Sequence, residues 1–351
     1  MNTENSDIAS IDRIDDVEQL EEMLSRPTPG AIDAMRRLEG DILVLGVGGK
    51  IGPSLARMAR RASDQAGVRR KIFGVARFSS SELQQQLESH GIETIRCNLL
   101  DRKALQSLPE APNVLYLAAM KFGSSGQTAM TWAMNTYLPG MVAERYPNSR
   151  IVAYSTGNVY PMVPVDSSGS RETDALGPVG DYAMSCLGRE RIFNHFSLQN
   201  GTPTALLRLN YAHECRYGVM VDIAQQILAG KPINLSMGYF NAIWQGDNNA
   251  ITLRAFDHVV SPPFLLNLTG PEKFRVREVA EQIGEIMDRR VEFTGSEAPD
   301  ALLSDASKSY ELFGNPQVPG ERFLQWIADW QARGGPSLGK PTKFQSRDGT
   351  F

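Results

Sequence analysis

The sequence has few of the residues that hold small proteins together through disulfides or metals. It contains only three cysteines, and they lack the CxxC or Cys/His spacing of metal ligands: Cys97, Cys186 and Cys215. Its four histidines are equally isolated: His90, His195, His213 and His258. We therefore expect neither a disulfide framework nor a metal site.

The sequence also lacks an excess of positive charge and a long apolar run. Its formal net charge is −4, so we expect no general attraction to nucleic acid or to an anionic membrane. The N-terminus is polar and acidic, unlike a signal peptide, and no stretch approaches the roughly 20 apolar residues of a membrane span. These absences predict a cytoplasmic protein, without membrane or nucleic-acid partners, that acts on a small molecule.

What the chain does have is enough apolar residues for a large core, 42% of its 351 positions. Near the N-terminus, apolar residues recur every three or four positions from Ile8 to Leu24, which predicts an amphipathic helix ending before Pro27. A second short helix is expected around Met35. We expect residues 1–39 to be a helical extension without chemistry of its own.

From Asp41 onward, short apolar runs alternate with helical patterns, which is typical of an α/β fold with a doubly wound parallel sheet. The predicted strands are 42–47, 72–76, 94–96, 114–118, 151–155, 205–209 and 265–268. The predicted helices between them are 53–62, 80–90, 128–146 and 182–200, and further helices are expected at 219–230, 248–256 and 276–287.

A glycine-rich turn separates the first strand from the first helix of this pattern. Ile42-Leu43-Val44-Leu45 leads into Gly46-Val47-Gly48-Gly49-Lys50-Ile51-Gly52. Glycines let the backbone approach a pyrophosphate, whose charge then meets amide groups and the positive end of a helix dipole. We expect a dinucleotide to be bound here by the following residues: Gly46, Gly48, Gly49, Lys50, Ile51 and Gly52.

The end of the second strand bears on the choice of cofactor. It reads Gly74-Val75-Ala76-Arg77, where an NAD site usually places a carboxylate for the ribose hydroxyls. Arginine suits a 2′-phosphate instead, and Lys50 is expected to add a second positive charge near the same place. This favours NADP over NAD, while the alternative that both side chains are solvated surface cations stays open.

Several motifs together resemble the extended short-chain dehydrogenase/reductase superfamily, and within it the NAD-dependent epimerase/dehydratase family, to which UDP-galactose 4-epimerase belongs. Gly46, Gly49 and Gly52 match the family's GxxGxxG loop, and Ser155-Thr156-Gly157-Asn158-Val159-Tyr160 resembles its STxxVYG segment. The segment Leu117-Ala118-Ala119-Met120-Lys121 resembles the one that lines the cofactor after the fourth strand. The resemblance covers most of residues 41–333.

The resemblance implies a Rossmann-like domain over residues 40–212 and a smaller substrate-binding lobe over most of 213–333, with 263–288 returning to the sheet. Residues 334–351 are expected to form an extended tail. Helices 128–146 and 182–200 correspond to the pair that commonly forms a homodimer in this superfamily. Further cofactor contacts are implied for the following residues: Asn98, Leu99, Leu117, Ala118, Ala119, Lys121, Tyr182, Leu209 and Asn210.

One member of the family's catalytic signature is replaced. The segment Tyr182-Ala183-Met184-Ser185-Cys186 has cysteine where the family's YxxxK pattern has the lysine that lowers the tyrosine pKa. Lowering a tyrosine pKa from about 10 to about 7 takes roughly 4 kcal/mol of differential stabilisation. The resemblance implies that Tyr182 is the acid/base and Thr156 its hydrogen-bonding partner, and Lys121 is the candidate substitute cation.

Three functions are compatible with this pattern. The first is an NAD(P)-dependent epimerase/dehydratase-type oxidoreductase that acts on a sugar, sugar nucleotide or related polyol by hydride transfer. The second is an NADP-dependent carbonyl reductase in which Tyr182 stays protonated and acts as an acid. The third is a dinucleotide-binding regulator without catalysis. A nucleophilic role for Cys186 is disfavoured, because a single buried cysteine is more often a small core residue.

Overall fold

The computed structural model describes residues 8–121 and 126–349, so the first seven residues of the N-terminal extension and the last two of the tail lie outside it. The strands are β1 Ile42–Leu45, β2 Ile72–Ala76, β3 Glu93–Arg96, β4 Asn113–Tyr116, β5 Arg150–Thr156, β6 Val163–Pro164, β7 Thr204–Leu209, β8 Ala212–His213, β9 Ile233–Asn234, β10 Tyr239–Asn241, β11 Ile243–Trp244, β12 Phe264–Leu268, β13 Lys273–Arg275, β14 Phe293–Thr294 and β15 Asp300–Ala301.

The helices, in chain order, are α1 Val17–Leu24, α2 Pro29–Arg37, α3 Gly52–Gln65, α4 Ser81–Ser89, α5 Arg102–Gln106, α6 Thr128–Trp132, α7 Leu138–Arg145, α8 Gly180–Asn200, α9 Val219–Leu228, α10 Gln245–Arg254, α11 Val276–Met287, α12 Ser307–Phe313 and α13 Gly320–Ala332. No helix in these ranges is both long and apolar enough to cross a membrane. Nor do the described residues contain a group of three or more side chains placed to hold a metal ion.

Seven parallel strands form the central sheet in the order β12-β7-β5-β4-β1-β2-β3. β1 and β4 are buried along their whole length, as their apolar runs predict. The order of the strands reverses here, because β2 and β3 lie on one side of β1 and β4 lies on the other. In open α/β sheets a crevice forms at that point, beyond the carboxyl ends of the strands. The doubly wound, Rossmann-like fold expected from the sequence is confirmed, and its crevice lies between the ends of β1 and β4.

Two helix predictions are wrong in their extent. The N-terminal amphipathic helix begins at Val17 rather than near Ile8, because the Asp16 carboxylate accepts a hydrogen bond from the Gln19 amide (2.8 Å) and caps the helix there. The helix predicted over 128–146 is three consecutive segments, since a π-helical turn, Ala133–Tyr137, separates α6 from α7. That turn contributes Asn135 to the candidate site.

Beyond the sheet, α9, α11 and α13 enclose a separate apolar cluster that contains Phe240, Trp244 and Phe323. The N-terminal helices α1 and α2 pack against α10 and α3. Residues 334–349 contain no helix or strand, yet Phe344 inserts into the apolar cluster with only 2% of its surface exposed. The C-terminal segment is thus part of the packed lobe.

Candidate active site

The glycine loop lies against the segment that follows β4. Gly46 has a φ of +88°, and a Cβ added there would stand 2.7 Å from the backbone nitrogen of Ala118. A Cβ on Gly52 would stand 2.2 Å from the Val47 carbonyl oxygen. Real Cβ atoms do not approach this closely, so both positions require glycine. The loop then leads into α3, whose first turn has no capping side chain, as suits a helix start that meets a phosphate.

A cavity of about 700 Å³ runs along the carboxyl ends of the strands. This is within the range of roughly 300–1,000 Å³ that is common for ligand pockets. The predicted cofactor residues that line it are Gly46, Gly48, Gly49, Arg77, Asn98, Leu99, Leu117, Ala118, Ala119 and Lys121.

A second cavity, of about 190 Å³, shares Gly49, Leu117, Ala119 and Lys121 with the first. The remaining predicted residues line this one: Lys50, Ile51, Gly52, Thr156, Tyr182, Leu209 and Asn210. The two cavities therefore adjoin. Together they offer space for a dinucleotide along the glycine loop.

Arg77 is exposed at the far end of the first cavity, away from Tyr182. Ser79 and Ser80 also line this end and were missed in the sequence. The sequence feature that could have identified them is the pair of adjacent serines just before α4, because hydroxyl side chains are common at helix starts. The three side chains can donate several hydrogen bonds to an anionic group there.

Lys50 does not lie beside Arg77, and the expectation of a second charge at that place is wrong. Its Nζ atom donates a hydrogen bond to the Ala212 carbonyl (2.7 Å) and lies 4.6 Å from the centre of the Tyr217 ring, in the second cavity. Its pKa is lowered to about 7, mainly by burial and to a smaller extent by the charges of Arg216 and Lys121, while Glu214 opposes the shift. The loop thus directs this lysine towards the Tyr182 end.

Tyr182 and Thr156 are hydrogen-bonded to each other in the second cavity. Tyr182 stands in the first turn of α8, and Thr156 is the last residue of β5, so the strand end and the helix start bring them together. Burial raises the pKa of Tyr182 well above its ordinary value, and Cys186 adds to the rise, while Arg189 and the bond to Thr156 oppose it. Without a ligand, the phenol is therefore protonated at neutral pH.

Lys121 lies beside the tyrosine. Its Nζ atom is 5.8 Å from the centre of the Tyr182 ring and 5.5 Å from that of Tyr211. Burial lowers the pKa of Lys121 to about 8, against the opposing effects of Asp222 and Cys186. A cation is thus present next to the phenol even though the usual lysine position holds a cysteine.

Asn135 holds the backbone from which Lys121 extends. Its side-chain oxygen accepts a hydrogen bond from the Met120 amide (2.8 Å), and its side-chain nitrogen donates to the Met120 carbonyl (3.1 Å). The same nitrogen donates to the Ser185 hydroxyl on α8 (3.0 Å). One amide side chain therefore ties the Lys121 segment to the helix of Tyr182.

Cys186 has no exposed surface and packs against Val159 and Tyr160. Burial raises the pKa of its thiol, which keeps it uncharged. A buried, neutral thiol is a small apolar residue rather than a nucleophile. Cys186 therefore fills the space at the lysine position without supplying charge.

Arg189 is a site residue that the sequence did not reveal. It lies two helical turns after Tyr182, and its guanidinium donates to the Tyr154 carbonyl (2.7 Å) and to the side-chain oxygen of Asn135 (3.0 Å). Its charge lowers the pKa of Tyr182. The only signal was the seven-residue spacing, which places two residues on the same helix face.

Three further residues that could have served a substrate have structural partners instead. Arg208 forms a buried ion pair with Glu190 (2.7 Å). Arg216 is bound by the carboxylates of Glu21 and Glu214. The third, His213, accepts a hydrogen bond from the Val219 amide through Nε2 (2.9 Å).

Sequence comparison assigns the family. Residues 42–236 match the NAD dependent epimerase/dehydratase family, which is more than half of the chain. The chain belongs to this family, and it is therefore an enzyme of the NAD-dependent class. A search of curated protein sequences finds no significant match.

Solved structures share the fold. UDP-glucose 4-epimerase from Thermotoga maritima has a TM-score of 0.70 at 18% identity, covering 84% of this chain and 99% of that one. UDP-glucuronic acid 4-epimerase from Bacillus cereus, in complex with NAD, has a TM-score of 0.70 at 19% identity, with the same coverage of both chains. dTDP-glucose 4,6-dehydratase from Bacillus anthracis, also with NAD, has 0.71 at 16% identity, covering 84% and 97%.

Proposed function

We propose that the protein transfers hydride between a nicotinamide cofactor and a hydroxyl-bearing carbon of a sugar, a sugar nucleotide or a related polyol, as an epimerase/dehydratase-type oxidoreductase. The observation that carries the proposal is the arrangement of Tyr182, Thr156 and Lys121 at the end of a cavity that begins at the glycine loop. The substrate class is supported by the similar structures, whose names include UDP-glucose, UDP-glucuronic acid and dTDP-glucose.

The cofactor, when bound, supplies the hydride acceptor or donor. The chain supplies the proton chemistry. Tyr182 exchanges a proton with the substrate oxygen at its phenolic oxygen, and Thr156 holds that substrate oxygen through its hydroxyl. Lys121 places positive charge beside the phenol, which favours the deprotonated form that alcohol oxidation requires. Asn135 keeps the Lys121 segment in place.

Carbonyl reduction is the second candidate, and a specific observation favours it. The raised pKa of Tyr182 leaves the phenol protonated near pH 7, ready to donate its proton to a carbonyl oxygen. In this case the reaction near neutral pH runs from ketone to alcohol. Complete absence of turnover with normal cofactor binding would instead indicate a dinucleotide-binding regulator.

The test is loss of turnover in Tyr182→Phe and Lys121→Met over a panel of sugars, sugar nucleotides and polyols. Epimerised or dehydrated products, which leave the cofactor in its starting oxidation state, are measured by chromatography, and net cofactor reduction is measured by absorbance. We expect Tyr182→Phe to lower kcat by about 10²- to 10⁴-fold, the usual contribution of a positioned acid/base. Lys121→Met should lower kcat most at neutral pH, and the kcat of this variant should partly recover in alkaline buffer. The exposed Lys231→Met serves as the control. Unchanged kcat in Tyr182→Phe would remove the proposed mechanism.

We further propose that Arg77, with Ser79 and Ser80, receives the 2′-phosphate of NADP. The support is their shared position at the distal end of the first cavity. Arg77→Asp should shift the ratio of dissociation constants towards NAD by about tenfold or more, as measured by calorimetry. Arg69→Asp changes an exposed arginine outside the cavity and should leave the ratio unchanged. An unaltered ratio in Arg77→Asp would remove the argument for NADP.

A further inference from the structure

The charged side chains around the cavity beside Tyr182 all have the same sign. Lys50, Lys121 and Arg189 contribute to its wall. Among the residues of the described chain that line this cavity, none is an aspartate or a glutamate. A cleft lined by charge of one sign concentrates ligands of the opposite sign. The cavity is therefore suited to an anionic ligand.

Lys50 is the cation of this group that is placed to meet a ligand. Arg189 is held by the protein oxygens described above, and Lys121 lies beside the phenol of Tyr182. The Nζ atom of Lys50 donates to the Ala212 carbonyl and lies over the Tyr217 ring, and both of these groups are uncharged. An ammonium has three hydrogen-bond donors, so Lys50 can bind an anion while it keeps the bond to the carbonyl.

Two carboxylates act on the lysines from outside the cavity. Glu214 attracts one lysine and Asp222 the other. Glu214 is paired with Arg216 (2.9 Å), and Asp222 accepts a hydrogen bond from the Thr342 amide (2.7 Å). Neither carboxylate lines the cavity. Both are thus engaged elsewhere, and neither takes the place of an anion inside the cavity.

The two lysine charges also repel each other, since Lys121 lowers the pKa of Lys50. Like charges in a half-buried cavity are screened less than in water, so their repulsion costs free energy. An anion in the cavity would reduce this cost. Although Lys50 belongs to the glycine loop, its Nζ atom extends to β8, where it meets Ala212. This direction favours a ligand beside Tyr182 over the phosphates of the cofactor.

We infer that Lys50 binds an anionic group of the substrate, so that the substrate is an acidic sugar or polyol with a carboxylate or a phosphate ester on the carbon skeleton that is oxidised. This inference rests on the proposed function, because it takes the ligand beside Tyr182 to be the substrate. Lys50 is then a specificity-determining residue. Carboxylates and phosphate esters offer the same anionic oxygens to an ammonium, and the experiment separates the two.

The experiment measures, by calorimetry with saturating oxidised cofactor, the binding of ligands that differ in charge on the sugar. Glucose, galactose and mannose are compared with their uronic acids and 6-phosphates, and UDP-glucose is compared with UDP-glucuronic acid. All proteins carry Tyr182→Phe, so that turnover adds no heat. Lys50→Met removes the charge at similar length, and the exposed Lys231→Met is the control. Thermal unfolding shows that each variant is folded.

At least one acidic ligand should bind Tyr182→Phe about tenfold or more tightly than its neutral counterpart, the contribution of a charged hydrogen bond. This comparison needs no change at Lys50. Adding Lys50→Met should remove the preference and leave the dissociation constant of the cofactor unchanged, whereas Lys231→Met should change neither. The inference is overturned by the absence of any preference, by a preference that persists in Lys50→Met, or by loss of cofactor binding in Lys50→Met.

The proposed function is tested separately, by turnover of the same ligands in the unaltered protein and its loss in Tyr182→Phe. Turnover of neutral ligands alone would overturn the inference and leave the proposed function standing. Binding of acidic ligands through Lys50 without any turnover would have the opposite meaning, because the anion site would then exist without the proposed reaction.

Discussion

At the residue scale, two half-buried lysines lie at the Tyr182 end of the site. Lys50 comes from the glycine loop and Lys121 from the segment after β4. Burial is the main reason that the pKa of each lysine is lowered. Lys121 also lowers the pKa of Lys50, so the two charges repel. The site therefore has cations available for the phenol, although Cys186 supplies none.

The burial of Lys50 predicts a pH-dependent stability. Its folded-state pKa of about 7 is below its ordinary value near 10.5, so the unfolded chain binds more protons between these values and stability rises with pH there. Lys50→Met removes this dependence. The free energy of unfolding of the unaltered protein, relative to Lys50→Met, should rise by about 2 kcal/mol between pH 6 and pH 9 in urea denaturation without cofactor.

The exposed Lys231→Met is the matched control, and its difference from the unaltered protein should be the same at both pH values. If the difference in free energy of unfolding between Lys50→Met and the unaltered protein were also the same at both pH values, burial would not lower the pKa of Lys50. The tyrosines with raised pKa values titrate above this interval and affect both proteins equally.

At the scale of elements, the connection between β1 and α3 contains a glycine in a left-handed conformation that also lies close to the segment after β4. Gly46 has a positive φ, and a side chain there would meet the backbone of Ala118. Gly67, after α3, has a similar φ of +71° but no atom within 4 Å of an added Cβ. Alanine substitutions at these two glycines therefore separate the free-energy cost of the left-handed conformation from the cost of the clash with Ala118.

Gly67→Ala should lower the free energy of unfolding by about 1 kcal/mol, the cost of a left-handed conformation for an L-residue. Gly46→Ala should lower it by about 3 kcal/mol, because the clash with Ala118 adds an overpacking cost. It should also abolish cofactor binding in calorimetry, whereas Gly67→Ala should bind the cofactor normally. Equal stability losses in the two variants would show that the close approach does not matter.

At the scale of the whole molecule, several large apolar side chains are exposed on α6, the π-helical turn and α8. They are Met130, Trp132, Tyr137, Met184 and Leu198, with exposed fractions between 37% and 59%. An apolar surface formed by neighbouring helices is typical of a subunit interface. We therefore propose that these helices form the homodimer that the family resemblance implies.

Met184→Asp should convert the dimer into a monomer, because a carboxylate placed in an apolar interface loses its hydration without gaining a partner. The measurement is the molar mass by light scattering after size exclusion. Leu312→Asp places the same charge on an exposed leucine of α12, away from these helices, and should leave the mass unchanged. A Met184→Asp protein that remains dimeric would place the interface elsewhere.

The apolar runs that became the central strands were visible in the sequence, because strands buried on both faces of a parallel sheet need them. The helix start at Asp16 and the π-helical turn at Asn135 were not predicted. The first depends on one capping hydrogen bond, and the second is a local departure within an otherwise helical pattern. Periodicity alone does not resolve either.

The sequence by itself determined the fold class and the glycine loop, because both are encoded locally by residue type and spacing. The family resemblance of its motifs supplied the candidate pair Tyr182 and Thr156. Only the tertiary structure decided where the charges of the site lie and what holds them there. Lys50 lies in the cavity of Tyr182 instead of beside Arg77, and Asn135 joins the Lys121 segment to the helix of Tyr182. Such contacts join residues far apart in the chain, and residue spacing carries no information about them.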